Sequence, residues 1–132
     1  MNFVSIRVIT GDVSRLVAFY EQVTGAAATW ATPEFAELRT EVCTLALASE
    51  RTVPLFAPGS AEPAANRSVI TEFRVADVDA EHQRLGSLGH EFVQPPTTMP
   101  WGNRSLLLRD PDGNLVNLFT PVSAEALARQ DR

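Results

Sequence analysis

Two histidines, one cysteine and a few acids are the residues of this chain best suited to chemistry, and their spacing argues against most of it. His82 falls inside a segment of helical periodicity and His90 just past its end. A solvent-facing helix residue and a turn residue explain them better than metal ligation, which needs imidazole nitrogens converging on one point. Cys43 would need an activating base to act as a nucleophile, and no histidine is close to it in sequence, so a small buried thiol is the simpler reading. Asp110 and Asp112 stand in Asp110-Pro111-Asp112-Gly113-Asn114, where backbone capping of a turn explains both carboxylates better than catalysis does.

The other polar candidates sit on alternating apolar runs, where residues two apart share a face. Phe3 then aligns with Ser5 and Arg7, Ile70 with Glu72 and Arg74, and Asn117 with Leu115 and Phe119. The opposite set, Val4, Ile6, Val8, Phe73, Val75, Val116 and Leu118, is expected under the helices. Arg7 and Arg74 hold matching places in Ile6-Arg7-Val8 and Phe73-Arg74-Val75 and could clamp an anion through their guanidinium forks. An ion pair with Glu72, or exposure at strand ends, is the simpler expectation. Glu72 could serve as a general acid or base, a role that a salt bridge to either arginine would spoil. Trp30, Phe35 and Trp101 offer flat walls for a planar ligand, and core or dimer packing explains them equally well.

The elements that must position these residues repeat once along the chain. Phe3 to Thr10 reads as a strand, Asp12 as a helix N-cap, and Val13, Leu16, Val17, Tyr20 and Val23 as the buried stripe of a helix ending at Gly25. Ala27 to Trp30, Glu34 to Thr40 and Thr44 to Ala48 follow as a three-stranded meander, with turns at Thr32-Pro33 and Thr40-Glu41. Residues 52–67 hold too many breakers for regular structure and read as a linker. The plan then recurs: strand Ser68 to Val75, Asp77 as N-cap, a helix with Val78, Leu85 and Leu88 inside, Gly89 as terminator, and strands Glu91 to Gln94, Ser105 to Arg109 and Leu115 to Thr120. Ser123 can cap a short terminal helix through Ala128. The fold class expected is α+β. Module 1 covers about 1–51, the linker 52–67, module 2 about 68–122, and the tail or short helix 123–132.

At 132 residues the chain suits one domain, or two halves sharing a core, with no need of disulfides. No apolar run is long enough for a membrane span, and 11 basic against 16 acidic residues give a net charge of -5, which disfavours nucleic acid. A start without secretory character and a single cysteine point to the cytoplasm.

Asp12 to Tyr20 (DVSRLVAFY), Phe73 to Leu85 (FRVADVDAEHQRL) with Gly89, and Trp101 to Phe119 (WGNRSLLLRDPDGNLVNLF) resemble the vicinal oxygen chelate superfamily, which includes glyoxalase I, bleomycin-resistance proteins, fosfomycin-resistance enzymes and extradiol dioxygenases. The resemblance spans roughly residues 3–121. It implies two tandem βαβββ modules forming a curved mixed sheet, a partly closed barrel with a cleft. In the metal-dependent members a histidine stands on the first strand of a module and an acid on the last. Carried over residue by residue, these places fall on Phe3 and Ile70, and on Ala46 and Asn117. Three of the four cannot ligate, and Asn117 offers only a neutral carbonyl oxygen. A slip of the short first-half strands would make Glu41 or Glu50 the nearer acid without restoring a histidine.

These readings lead to a cofactor-free, metal-free binder of a small organic molecule, antibiotic-like or a metabolite, in an apolar cleft. Its expected lining is Phe3, Ser5, Arg7, Trp30, Ala46, Ile70, Glu72, Arg74, Trp101, Asn117 and Phe119. The alternatives are a metal-dependent lyase, isomerase or dioxygenase with ligands at unrecognised positions, and an assembly or regulatory module. The resemblance further implies a homodimer.

Overall fold

A computed structural model describes residues 1–131, so Arg132, at the end of the expected tail, lies outside the described residues. The chain is α+β and carries the βαβββ plan twice. The first unit comprises residues 1–66 together with the turn 110–113, and the second comprises 67–109 and 114–131.

In the first unit, β1 (Ser5–Thr10) leads into α1 (Val13–Thr24), then β2 (Thr29–Thr32), β3 (Phe35–Arg39) and β4 (Thr44–Ser49). The sheet order is β1-β4-β3-β2, with β1 parallel to β4 and the other pairs antiparallel. Asp12 caps α1 by accepting from the Arg15 N–H at 3.1 Å. Gly25 ends the helix in the left-handed region, φ 71°, with its N–H on the Glu21 carbonyl. The expected stripe is buried throughout, and Tyr20 is fully enclosed, donating its hydroxyl to Asp110 Oδ2 at 2.7 Å. Asp110 also takes the Asp112 N–H at 2.9 Å, so it is the turn cap expected of it and an acceptor for a buried phenol besides.

The second unit runs β5 (Ile70–Arg74), α2 (Val78–Ser87), β6 (Gln94–Thr98), β7 (Asn103–Arg109), β8 (Leu115–Pro121) and α3 (Ala124–Gln130), with sheet order β5-β8-β7-β6. Asp77 caps α2 through the Asp79 and Ala80 N–H groups, and Ser123 caps α3. Leu106, Leu108, Val116 and Leu118 are at most 1% exposed, which makes β7 and β8 the core of this unit. Neither four-stranded sheet closes on itself, and no helix among the described residues is long and apolar enough to cross a membrane.

Several boundaries differ from those read in the sequence, each for a physical reason. β1 begins at Ser5, just after the Val4 carbonyl accepts the first bond from β4, given by the Thr44 N–H at 3.0 Å; Val4, expected under α1, is 66% exposed. The linker opens with a 3₁₀ turn, Glu50–Leu55, capped by Ser49. β6 begins at Gln94, where the expected strand Glu91 to Gln94 ends, and contains Pro95 and Pro96, tolerated because β6 is an edge strand whose register shifts between Gln94 and Thr97. Leu88 is not an inner helix residue: it caps α2 and is 52% exposed.

Candidate functional site

Strand register determines which candidates share a surface. In the first sheet, Arg7, Ala46 and Glu37 form one cross-strand row, beside Ser5, Thr44 and Arg39. The alternate set, Leu38, Leu45, Leu47 and Ala36, is buried and supplies the apolar surface that α1 covers. Trp30 pairs with Ala36 and therefore belongs to that alternate face, 42% exposed at the sheet edge, away from Arg7 and Ala46. Phe3 precedes β1, is 77% exposed, and lines an open depression of about 540 Å³ with Met1, Val4, Thr40, Val42 and Cys43. Cys43 is half-buried there, its thiol nearest the Thr44 carbonyl at 3.8 Å.

In the second sheet, Glu72, Asn117, Leu107 and Gln94 form the corresponding row, flanked by Ile70, Leu115 and Arg109 on one side and by Arg74, Phe119 and Ser105 on the other. Five candidates, Ile70, Glu72, Arg74, Asn117 and Phe119, are thus brought to one face. Trp101 is not among them; it sits in the turn before β7, 56% exposed, its carbonyl accepting from Arg129.

The two rows correspond when the helix caps are superposed. Asp12 then matches Asp77, Arg7 matches Glu72, and Ala46 matches Asn117, since each pair is bonded in the same register. The first module has two more residues between its Arg-Val step and its cap. Arg7 and Arg74 are consequently not equivalent, and the counterpart of Ile70 is Ser5, not Phe3.

Each row has its own electrostatic character. Asn117 donates its Nδ2 to Glu72 Oε2 at 2.7 Å. A carboxylate only accepts, so the amide nitrogen must face Glu72 and Oδ1 must point away; that oxygen is buried without a hydrogen-bond partner. The expected salt bridge between Glu72 and an arginine is absent among the described residues, because Arg74 pairs with Asp131 at 2.8 Å. Arg7 instead lies over two aromatic faces, its Cζ 4.9 Å from the Phe35 ring centre and 5.2 Å from that of Phe56. Each such contact is worth ~0.5–1 kcal/mol at an exposed site. Phe56 was hidden from sequence reasoning inside the breaker-rich linker. The alternation of β3 places Phe35 on the Arg7 face, as its register with Ala48 requires.

Two carboxylates are held below their ordinary range, Glu34 by hydrogen bonds from Ser49 and then Arg51, and Asp79 by hydrogen bonds from Arg104. Neither lies in the two rows. Among the described residues, no group of three or more His, Cys, Asp or Glu side chains converges on a point that could hold a metal ion. His82 packs edge-on against Phe92, ring centres 4.6 Å apart.

The family model of the Glyoxalase/Bleomycin resistance protein/Dioxygenase superfamily matches residues 2–118. The chain belongs to that superfamily. Solved structures repeat the fold over nearly the whole length. A glyoxalase/bleomycin resistance protein/dioxygenase from Nocardioides is 24% identical with a TM-score of 0.77, covering 94% of this chain and 85% of its own. A family enzyme from Burkholderia phytofirmans PsJN reaches a TM-score of 0.79 at 19% identity, over 92% of this chain and 100% of its own. TioX from Micromonospora sp. ML1 is 23% identical with a TM-score of 0.70, over 92% and 100%. At these identities the structural likenesses establish the fold alone. No curated protein matches the sequence.

Proposed function

We propose that this superfamily member binds a small organic molecule on the sheet faces that carry the Arg7 and Glu72 rows, without the help of a divalent ion. The observation that carries the reading is the chemistry of the residues at the places the resemblance assigns to metal ligands. The resemblance puts Phe3 and Ile70 on the first strands, with Ser5 in place of Phe3 once the helix caps are superposed, and Ala46 and Asn117 on the last strands. This set contains no imidazole and no carboxylate. Asn117 is its one amide, and that amide already donates to Glu72. Such a set does not fit a divalent ion, whose protein sites are built around carboxylates, thiolates or imidazoles and use neutral carbonyl oxygens only beside them.

What this face offers suits an organic ligand: apolar surface from exposed Ile70 and half-buried Leu107, and a buried carbonyl oxygen with no donor. A ligand N–H or O–H reaching Asn117 Oδ1 would satisfy an acceptor whose isolation now costs ~1–3 kcal/mol. An isologous homodimer and residence in the cytoplasm belong to the same reading.

Native mass spectrometry of protein purified without chelators tests it. The expected spectrum is a metal-free dimer, with ligand uptake from a panel of antibiotics and metabolites that persists after strong chelation. A stoichiometric divalent ion, or binding abolished by the chelator, overturns it.

A further inference from the structure

We propose that Arg7, braced by Phe35 and Phe56, is an anion-recognition residue that takes the carboxylate of a small organic acid whose apolar part lies against the exposed ring of Phe56. The assignment names the ligand class for the binding reading above and rests on it.

The guanidinium is positioned and yet unspent. Its Cζ lies 4.9 Å and 5.2 Å from the two ring centres, contacts that hold a long side chain in place and supply no oxygen acceptor to its N–H groups. Among the described residues no carboxylate or carbonyl bonds it. Other arginines are paired with carboxylates: Arg39 with Glu37, Arg51 with Glu34, Arg74 with Asp131, Arg84 with Glu81 and Arg104 with Asp79. Arg15 and Arg67, which have no such partner among the described residues, also lack the aromatic contacts that position Arg7. Glu37, the acid of Arg7's own cross-strand row, is engaged by Arg39 at 3.1 Å. The row therefore presents an unneutralised cation, in a chain whose net charge is -5.

The chemistry that completes such a group is a planar oxyanion. Five in-plane donors in a rigid fork match the two oxygens of a carboxylate, and a side chain already held pays less entropy on binding than a free one. Phe56 indicates the rest of the ligand. The residue is 70% exposed at the end of the 3₁₀ turn, and an apolar group set against its ring would remove surface from water while the carboxylate meets Arg7.

The experiment titrates the full-length, ¹⁵N-labelled chain with 3-phenylpropionate while following arginine Nε–Hε resonances, that of Arg7 being identified by its loss in R7K. Three comparison probes are 3-phenylpropanamide, acetate and inorganic phosphate. The expected result is a saturable shift of the Arg7 resonance by 3-phenylpropionate and binding at least about 10-fold weaker for the neutral amide, as loss of a charge-assisted pair implies. R7K, which keeps the charge but not the fork, should lose most of the affinity, and F56A several-fold of it, both with an unchanged thermal melt. An equal response to the amide, or R7K binding like the parent, overturns the assignment. Equal responses to acetate or phosphate overturn the organic-acid part of it. A protein that ignores 3-phenylpropionate but takes a neutral ligand in the presence of chelator overturns this inference and leaves the binding reading standing; one that takes no small molecule overturns both.

Discussion

The two units follow one plan and spend their residues differently. With Asp12 and Asp77 superposed, the stripe Val13, Leu16, Val17, Tyr20 and Val23 of α1 corresponds to Val78, Glu81, His82, Leu85 and Leu88 of α2. All five are buried in α1, whereas α2 buries only Val78 and Leu85. Glu81 turns outward to Arg84, and His82 leans on Phe92. The sheets do not mirror this difference, since β4 in the first unit and β8 in the second are both largely buried. The faces carrying the rows diverge as well: one row holds a cation over aromatic rings, the other a carboxylate bonded to an amide whose oxygen is stranded. A duplicated scaffold can thus keep its backbone register while the side chains on its faces acquire unrelated chemistry.

The largest effect should come from the helix stripes. Leu16→Ala, at a fully enclosed position, should cost ~2–5 kcal/mol in urea unfolding, and Leu88→Ala, a cap residue 52% exposed, less than about 0.5 kcal/mol. Comparable losses would mean that the two helices are held alike, which would break the comparison. Tyr20→Phe comes next. It leaves buried Asp110 without its phenol donor and should destabilise by ~1.5–3 kcal/mol, the range for hydrogen bonds to charged groups. A near-neutral result would show that the Asp110 carboxylate reaches water when the hydroxyl is gone.

What was legible in the sequence follows the same division. The caps Asp12, Asp77 and Ser123, the α1 stripe and the family resemblance all rest on local spacing, and the structure contains each of them. Leu88 failed because α2's short stripe ends at Leu85, so the next apolar residue on it lies beyond the helix. β6 failed because a prolyl pair reads as a breaker in isolation, and only the edge position of the strand makes it tolerable. The site was less legible than the fold. Parity put Ser5 with Arg7, Ile70 with Glu72 and Arg74, and Asn117 with Leu115 and Phe119, and the strand register then sets the last two groups side by side. The Phe56 contact, the Asn117–Glu72 bond and the pairing of Arg74 with Asp131 join residues far apart in sequence, where no period or motif signals a neighbour.

The matched positions Ala46 and Asn117 sharpen the comparison further. Ala46→Leu adds volume at a position 4% exposed and should cost ~1–3 kcal/mol. Asn117→Leu removes the stranded oxygen, and the Glu72 carboxylate it abandons is exposed, so stability should hold or rise by up to about 1 kcal/mol while ligand uptake falls. Losses of equal size at both positions would show that Asn117 is a packing residue and would remove it from the candidate site.

The smallest effect concerns the two lowered carboxylates, one in each unit. Glu34 is held down first by the Ser49 hydroxyl and then by Arg51; Asp79 is held down first by the Arg104 guanidinium, which bonds both of its oxygens at 2.8 and 3.0 Å. A carboxylate whose folded pKa is depressed adds stability above its unfolded value and loses it as the pH falls through the folded one. The stability difference between the parent and Asp79→Asn should accordingly be present at neutral pH and fade below the ordinary carboxylate range, and likewise for Glu34→Gln. Salt separates the two. Raising ionic strength screens the exposed guanidinium more than it weakens a neutral hydroxyl donor, so the pKa of Asp79, followed by NMR, should climb back toward its ordinary value further than that of Glu34. Equal climbs would assign Glu34 to Arg51 ahead of Ser49 and would make the two units electrostatically alike at these positions.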